Sequence, residues 1–274
     1  MSGINDTNEM KKQYGTDQNL NSRILLHRLF STNKQGWGHW VFENYRLEPG
    51  LSILELGCGN AGIWKANAEK IPRGMRLVLS DFSPGMLDAA KANTAAIDSA
   101  EYRVIDAQEI PFDSGAFDIV IANHMLYHIP DINKALSEIS RILKPDGIFY
   151  ATTLGKNNLR EITDILRDFD DRIDFAQDSV TEAFGLETGG KKIGGYFNTV
   201  RVERYPDSLH ITQARPLVDY ILSSEGNVTE IISGDNIPRF TQYINDLFIK
   251  KPFIDVQKDA GIFIATDPDT RQSQ

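Results

Sequence analysis

The chain has 274 residues and a net charge of −9, from 29 basic and 38 acidic residues. This length suits one large domain, or one domain with a sizeable insertion. The acidic balance argues against a general electrostatic attraction to nucleic acid or to anionic lipid. No run of about eighteen apolar residues is present, so no membrane span is expected.

The first segment, residues 1–49, has a polar start. It is predicted to be helical over "NLNSRILLHRLF" and "GWGHWVFENYRL". Its polar beginning lacks the apolar stretch of a signal peptide. Cys58 is the single cysteine of the chain and excludes an intrachain disulfide. Both features favour a cytoplasmic protein.

Strands then alternate with helices over residues 50–154. Five apolar segments predict strands: "LSILEL", "MRLVLSDF", "EYRVIDA", "FDIVIANHML" and "IFYATT". Helices are predicted between them, and Ser83 with Pro84 marks the start of one. The alternation predicts an α/β fold with a doubly wound, mostly parallel, Rossmann-like sheet.

The regular alternation stops after Leu154. Residues 155–255 are predicted to form an element that covers the substrate, mixed with strands that complete the sheet. The Gly-rich stretch "GLETGGKKIGGYF" predicts a loop or lid, and Ser179 with Glu182 predicts a capping box. Residues 256–274 are predicted to form a last short strand, "GIFIAT", and a polar tail.

The first strand leads into "ELGCGNAG", whose glycines have the spacing G-x-G-x-x-G. With Asp81 at the end of the second strand, this spacing is also typical of dinucleotide-dependent oxidoreductases, which are the first alternative. Glu55, however, would repel a diphosphate and attract an ammonium or sulfonium group. Glu55, Asp81 and Asp106 together suit a ligand with an amino-acid head, a ribose and an adenine but no phosphate. S-adenosylmethionine is such a ligand.

Four ordered motifs carry a resemblance to class I S-adenosylmethionine-dependent methyltransferases of the small-molecule type. The chain is similar to the ubiquinone- and menaquinone-biosynthesis members and to those of natural-product (secondary) metabolism. The motifs are "ELGCGNAG" (55–62), "LSDFSPGML" (79–87), "VIDAQEIPFDSGAFDIVIANHMLYHI" (104–129) and "ALSEISRILKPDGIF" (135–149). The resemblance implies a seven-stranded sheet whose last strand is antiparallel. It also implies methyl transfer to a small-molecule acceptor at oxygen, nitrogen or carbon, with S-adenosylhomocysteine as product.

The resemblance also assigns cofactor-binding roles. Gly57 and Gly59 would let the backbone approach the methionine part of the cofactor, Cys58 would pack inside this loop, and Glu55 would order it. The other assignments are Asp81 at the ribose hydroxyls, Phe82, Met86, Asp106 and Ala107 at the adenine, Asn123 near the amino-acid group or sulfonium, and Tyr14 and Arg23 on a segment that closes over the cofactor. Core packing is the alternative for Phe82 and Met86.

The reaction itself requires alignment of the acceptor, exclusion of water, and a base only for an acceptor that arrives protonated. His128 and His124 are the candidate bases, because they follow the fourth strand at the edge where ligands bind. Purely structural roles are the alternative for both. Their spacing of four would suit a metal on a helix, but no Glu adjoins the first histidine, so no metal site is predicted.

Five aromatic residues outside the motifs are candidates for the wall of an acceptor pocket: Trp37, Trp40, Phe184, Tyr196 and Phe197. Packing between cover and sheet is their alternative. A non-catalytic protein that binds S-adenosylmethionine is the second functional alternative, since three acidic residues argue for cofactor binding but not for transfer. The sequence leaves open the acceptor, the methylated atom and the choice between monomer and homodimer.

Overall fold

The computed structural model describes residues 17–175, 177–224 and 227–269. These residues form two compact units. The larger unit holds Trp37–Gly155, Thr181–Tyr205 and residues 260–269, and the smaller holds residues 17–36 with the described parts of Lys156–Val180 and Pro206–Asp259. This division differs from the predicted boundaries, because residues 37–49 and 181–205 group with the sheet and not with separate covering segments.

A seven-stranded sheet is the centre of the larger unit. Its strands are β1 (Ser52–Leu56), β2 (Arg76–Asp81), β3 (Ala100–Val104), β4 (Phe117–Asn123), β5 (Leu143–Leu154), β6 (Phe197–Arg204) and β9 (Ala260–Pro268). Their order is β3-β2-β1-β4-β5-β9-β6. Strands β1 to β5 run parallel, whereas β9 is antiparallel to both of its neighbours. The predicted doubly wound sheet with an antiparallel last strand is confirmed.

Alternate residues of the central strands enter two different hydrophobic cores. Leu54 and Leu56 of β1 pack with Val120 of β4 in one core, whereas Ile53 packs with Ile119 in the other. Each of these side chains is at most 1% exposed. Since successive side chains of a strand point to opposite faces, a strand that is apolar throughout needs cover on both sides.

Helices of the larger unit provide this cover. They are α2 (Trp37–Asn44), α3 (Gly62–Ala66), α4 (Pro84–Asn93), α5 (Ile132–Ile142) and α8 (Gly189–Ile193). Helix α4 has Ser83 as its N-cap and Pro84 in its first turn, as predicted. Helix α5 buries the apolar residues that recur at helical spacing: Ala135, Leu136, Ile139 and Ile142.

The smaller unit combines helices with a two-stranded sheet of its own. Its elements are α1 (Asp17–Phe30), α6 (Arg160–Phe169), β7 (Ser208–Ile211), α9 (Ala214–Leu222), α10 (Val228–Ile231), α11 (Asn236–Lys250) and β8 (Ile254–Gln257). Strand β7 lies in the region 155–255, whose strands are predicted to complete the large sheet. It pairs with β8 instead. Inside this unit the fully buried Asp207 carboxylate accepts from Lys258 Nζ at 2.5 Å and from Ser31 Oγ at 2.6 Å.

Two further predictions in the C-terminal half are wrong. The Gly-rich stretch is not one continuous loop, since it contains the five-residue helix α8 between turns. Gly189 of this helix serves close packing, because a Cβ there would lie 2.7 Å from Phe263 Cε2. Helix α7 (Gln177–Phe184) begins before Ser179, so the predicted capping box does not start it. None of the helices that the structure describes has the length and apolar character needed to cross a membrane.

Candidate functional site

The carboxyl ends of the parallel strands bring most of the predicted site residues to one edge of the sheet. Glu55 of β1 lies in register with Leu79 of β2 and with Ile121 of β4. The residues that follow these strands therefore share this edge. In open α/β sheets, ligands bind outside the carboxyl ends of the strands.

The glycine loop after β1 depends on backbone conformations that favour glycine. Gly57 and Gly59 have φ angles of 64° and 54°, in the left-handed region that residues with a Cβ adopt rarely. A Cβ on Gly57 would also lie 2.9 Å from Met125 Cβ, which is too close. Between them, Cys58 is buried and its N–H donates to the Ser80 carbonyl at 2.8 Å. The loop is therefore held against β2, with Met125 packed on Gly57 and open space beside Gly59.

Asp81 joins this loop to the start of α4. Its two carboxylate oxygens accept from the backbone N–H groups of Gly59 at 2.9 Å and of Ser83 at 2.8 Å. Burial raises the pKa of Asp81, and the backbone hydrogen bonds oppose this change. The side chain remains partly exposed, so its remaining lone pairs are accessible to a ligand.

Glu55 lies beneath the loop and is only 3% exposed. Its oxygens accept from Trp64 Nε1 at 2.5 Å and from Asn123 Nδ2 at 2.7 Å. Burial raises the pKa of Glu55 to about 7, although both of these hydrogen bonds lower it. Asn123, predicted to contact the cofactor, is therefore also the residue that fixes this buried carboxylate.

Asn123 extends the same network to two further elements. The Tyr45 hydroxyl, just beyond α2, lies 2.8 Å from Asn123 Nδ2 and 3.1 Å from its Oδ1. Thr152 of β5 donates to the same Oδ1 at 3.2 Å. Trp64, Tyr45 and Thr152 are functional candidates that the sequence interpretation missed. Only Trp64, two residues after the last motif glycine, Gly62, lay close enough in sequence to suggest a role.

The predicted adenine contacts surround the ends of β2 and β3. Phe82 is 48% exposed, which argues against the alternative that it is a core residue, and Met86 is partly buried. Asp106 is exposed and accepts from the Gln108 backbone N–H at 2.8 Å, whereas Ala107 is buried. These residues remain predictions for adenine binding, and Phe82 offers an accessible aromatic face for it.

The two candidate histidines do not share a helix face. His124 follows β4 with a φ of 48°, and His128 lies in a short 3-10 helix over Leu126–His128 with its ring 4.6 Å from that of Tyr127. Among the residues that the structure describes, no group of three His, Cys, Asp or Glu side chains is placed to hold a metal ion.

Of the remaining predicted residues, two belong to the N-terminal segment. Tyr14 lies outside the described residues, and the backbone of Arg23 lies in α1. Among the five aromatic candidates, Phe184 and Phe197 are fully or nearly fully buried in the core of the larger unit. For these two residues the packing alternative is correct, whereas Trp37, Trp40 and Tyr196 are only partly buried.

The sheet order, its antiparallel last strand and the glycine loop at its carboxyl edge define the class I methyltransferase fold. In agreement, the chain superposes on the phosphoethanolamine N-methyltransferase 2 of Haemonchus contortus, solved with S-adenosyl-L-methionine, with a TM-score of 0.57. The match covers 98% of this chain and 61% of that chain at 17% identity, so it bears on the fold alone.

Sequence comparison gives the family of the core. Residues 54–151 match the model of the methyltransferase domain family. A demethylmenaquinone methyltransferase of Staphylococcus epidermidis is 32% identical over 145 residues, which cover 52% of this chain and 60% of that protein. The malonyl-[acyl-carrier protein] O-methyltransferase of Serratia marcescens is 31% identical over 122 residues, 44% of this chain and 46% of that protein. Residues 54–151 thus match a methyltransferase domain, and the chain spans about three fifths or less of the length of these two relatives.

Proposed function

We propose that this protein transfers a methyl group from S-adenosylmethionine to a small-molecule acceptor. The observation that carries the proposal is the glycine loop, whose open left-handed backbone is joined by Asp81 to the start of α4. At Gly59, where a Cβ would meet nothing within 4 Å, this cradle leaves room for a ligand beside the backbone, and Asp81 presents a carboxylate to it. The residues present therefore fit the cofactor that the domain family implies.

Each part of the cofactor has a matching group. The Asp81 carboxylate would accept from the ribose hydroxyls, and the exposed ring of Phe82 would stack on the adenine. The Asp81 carboxylate, and Glu55 in its ionised form, favour the cationic ammonium and sulfonium groups. When bound, S-adenosylmethionine supplies a methyl group already activated on sulfur, so the protein has to align the acceptor and exclude water.

The same arrangement disfavours the dinucleotide alternative. A diphosphate at the glycine loop would lie above Glu55, whose ionised form would repel it. Asp81 does not distinguish the two alternatives, because an acidic residue at the end of the second strand suits a ribose in both. The match of residues 54–151 to the methyltransferase domain family supports the same choice.

The names of the relatives support no single acceptor. They mention demethylmenaquinone, malonyl-[acyl-carrier protein] and, for the structural neighbour, phosphoethanolamine. We therefore propose a small-molecule acceptor as the general class. The closing of Tyr14 and Arg23 over the cofactor, and general base catalysis by His128 or His124, remain parts of the proposal.

Calorimetric titration of S-adenosylhomocysteine tests the cofactor site. We expect Asp81→Ala to weaken binding at least tenfold, because the ribose hydroxyls lose their acceptor and the loop loses its tie to α4. Asp88→Ala is the matched control, since Asp88 is an exposed carboxylate on the same helix α4. Equal affinity of the two variants, or binding of NADH without binding of S-adenosylhomocysteine, would refute the proposal.

A further inference from the structure

The backbone at His124 is strained, and the strain is held by β5. His124 is one of four non-glycine residues with positive φ among those described, and it directly follows β4. Its N–H donates to the Thr152 carbonyl at 3.2 Å and lies 3.1 Å from the Thr152 hydroxyl. Left-handed conformations of this kind are unfavourable for residues with a Cβ and persist where the surroundings impose them, which is often at functional sites.

The strained turn brings the imidazole to a group of three larger rings. The His124 ring centroid is 5.2 Å from that of Trp37, which lies 5.4 Å from both Trp40 and Tyr205. Tyr205 also packs against Trp40 at 5.2 Å. We call Trp37, Trp40, Tyr205 and His124 the aromatic wall. Because these rings contact one another, they form a surface and not a cage around a central cavity.

Two contacts link the aromatic wall to the glycine loop and to the segment after α3. Met125, the residue after His124, packs on Gly57. On the other side, α2 carries both tryptophans and is held to the segment after α3 by His39 Nδ1, which lies 2.7 Å from Asn67 Oδ1. Trp37 and Trp40 are only partly buried, whereas Tyr205 behind them is 3% exposed. The accessible surface is therefore that of the two indoles and the imidazole.

These contacts assign the chemistry of the acceptor. We propose that the acceptor is an aromatic ring bearing a hydroxyl group, that the aromatic wall holds this ring, and that His124 takes the hydroxyl proton. The inference rests on the proposed function and names the substrate class of the same site. Indole faces stack on flat aromatic rings, and a neutral imidazole accepts a proton near neutral pH.

A base is needed because a phenolic hydroxyl has a pKa of about 10 and arrives protonated. The hydroxyl proton moves to the imidazole, and the phenolic oxygen forms a bond to the methyl carbon of the bound sulfonium. The carbon–sulfur bond breaks and its electron pair stays on sulfur, which becomes a neutral thioether. The imidazolium then returns its proton to water, so atoms and charge balance.

Binding of 2-naphthol, measured by calorimetry with saturating S-adenosylhomocysteine, tests the aromatic wall without turnover. We expect Trp37→Leu to weaken binding at least tenfold, and the saturated analogue decahydro-2-naphthol to bind the unaltered protein at least tenfold more weakly than 2-naphthol. Phe112→Leu is the control, because Phe112 is a partly buried ring that packs on Phe117 at the opposite end of β4.

The outcomes separate this inference from the proposed function. If S-adenosylhomocysteine does not bind, the proposed function fails. If it binds while 2-naphthol does not, or while 2-naphthol and decahydro-2-naphthol bind equally, only the acceptor class is refuted. Undiminished binding of 2-naphthol to Trp37→Leu would refute the aromatic wall as its site.

A second experiment tests His124. The variant His124→Asn tolerates the left-handed backbone and lacks the base, so we expect at least about a hundredfold slower methylation of 2-naphthol at saturating 2-naphthol. Its binding of 2-naphthol should weaken less than tenfold, because the two indoles remain. Above neutral pH, 4-nitrophenol is an acceptor that is already ionised. With this acceptor, the rate of methylation by His124→Asn should fall less than tenfold. His210→Asn, altered at an exposed histidine of β7, is the control. An equal loss for both acceptors, or a loss in His128→Asn but not in His124→Asn, would overturn the assignment.

Discussion

Replacement of Gly57 by alanine should lower the free energy of unfolding for two separate reasons. The first is the left-handed backbone, with φ at 64°, which costs a residue with a Cβ about 1–2 kcal/mol. The second is the contact with Met125, whose Cβ and Cγ would lie 2.9 and 3.0 Å from the new methyl group. Overpacking of this kind costs about 1–3 kcal/mol. We therefore expect Gly57→Ala to lower the free energy of unfolding by about 2–5 kcal/mol in total.

Gly74→Ala is the matched control for this experiment. Gly74 has a φ of 79°, and a Cβ there would meet nothing within 4 Å, so only the backbone cost of about 1–2 kcal/mol applies. Urea denaturation of both variants gives the difference, which isolates the Met125 contact. Calorimetry should also show weaker S-adenosylhomocysteine binding for Gly57→Ala alone. If the two variants lose equal stability, the packing of Met125 on the loop is not as described.

Three further predictions concern buried polar groups. Trp64→Phe removes the donor to Glu55 Oε2. Urea denaturation should show an unfolding free energy lower by about 1–3 kcal/mol. An unchanged unfolding free energy would mean that the hydrogen bond from Trp64 does not stabilise the buried carboxylate. Because burial raises the pKa of Glu55 from 4.5 to about 7, the folded state binds more protons than the unfolded state between these values. The unfolding free energy should thus decline by up to about 3 kcal/mol as pH rises from below 4.5 through about 7, and Glu55→Gln should flatten this slope; an unchanged slope would contradict the assignment. In the smaller unit, Asp207→Ala removes the carboxylate that pairs with the Lys258 ammonium, and the Lys258 side chain is only 11% exposed. Urea denaturation should show an unfolding free energy lower by about 3–5 kcal/mol. A loss below 1 kcal/mol would show that solvent replaces the carboxylate.

The sequence interpretation succeeded where a signal is local. Apolar segments bounded by turns identified β1, β2, β4 and β5, because a strand covered on both faces is apolar at successive positions. Strand β3, which has no fully buried residue, was identified from the alternation of strands and helices. The glycine spacing located the loop, because left-handed backbone favours glycine. Both signals occupy a few consecutive residues, and so does the position of Asp81 at the end of β2.

The interpretation failed where a contact joins distant parts of the chain. Tyr45 and Asn123 are 78 residues apart, and nothing in either local pattern pairs them. The same holds for Gly189, whose glycine-rich surroundings predict a loop although its closeness to Phe263 requires glycine inside a packed helix. A glycine has two different uses, conformational freedom and close approach, and the local sequence does not distinguish them.

The proposed cofactor side of the site is built from residues close together in sequence, whereas the proposed acceptor side is built from residues far apart in sequence. The residues proposed for the cofactor side, Gly57, Gly59 and Asp81, all lie within the segment 54–151 that matches the methyltransferase domain family. Three of the four rings of the aromatic wall, those of Trp37, Trp40 and Tyr205, lie outside that segment. A match confined to the domain therefore carries information on the cofactor and little on the acceptor. It follows that specificity should respond to substitutions at Trp37 and Trp40, whereas cofactor affinity should respond to substitutions at Gly57 and Asp81.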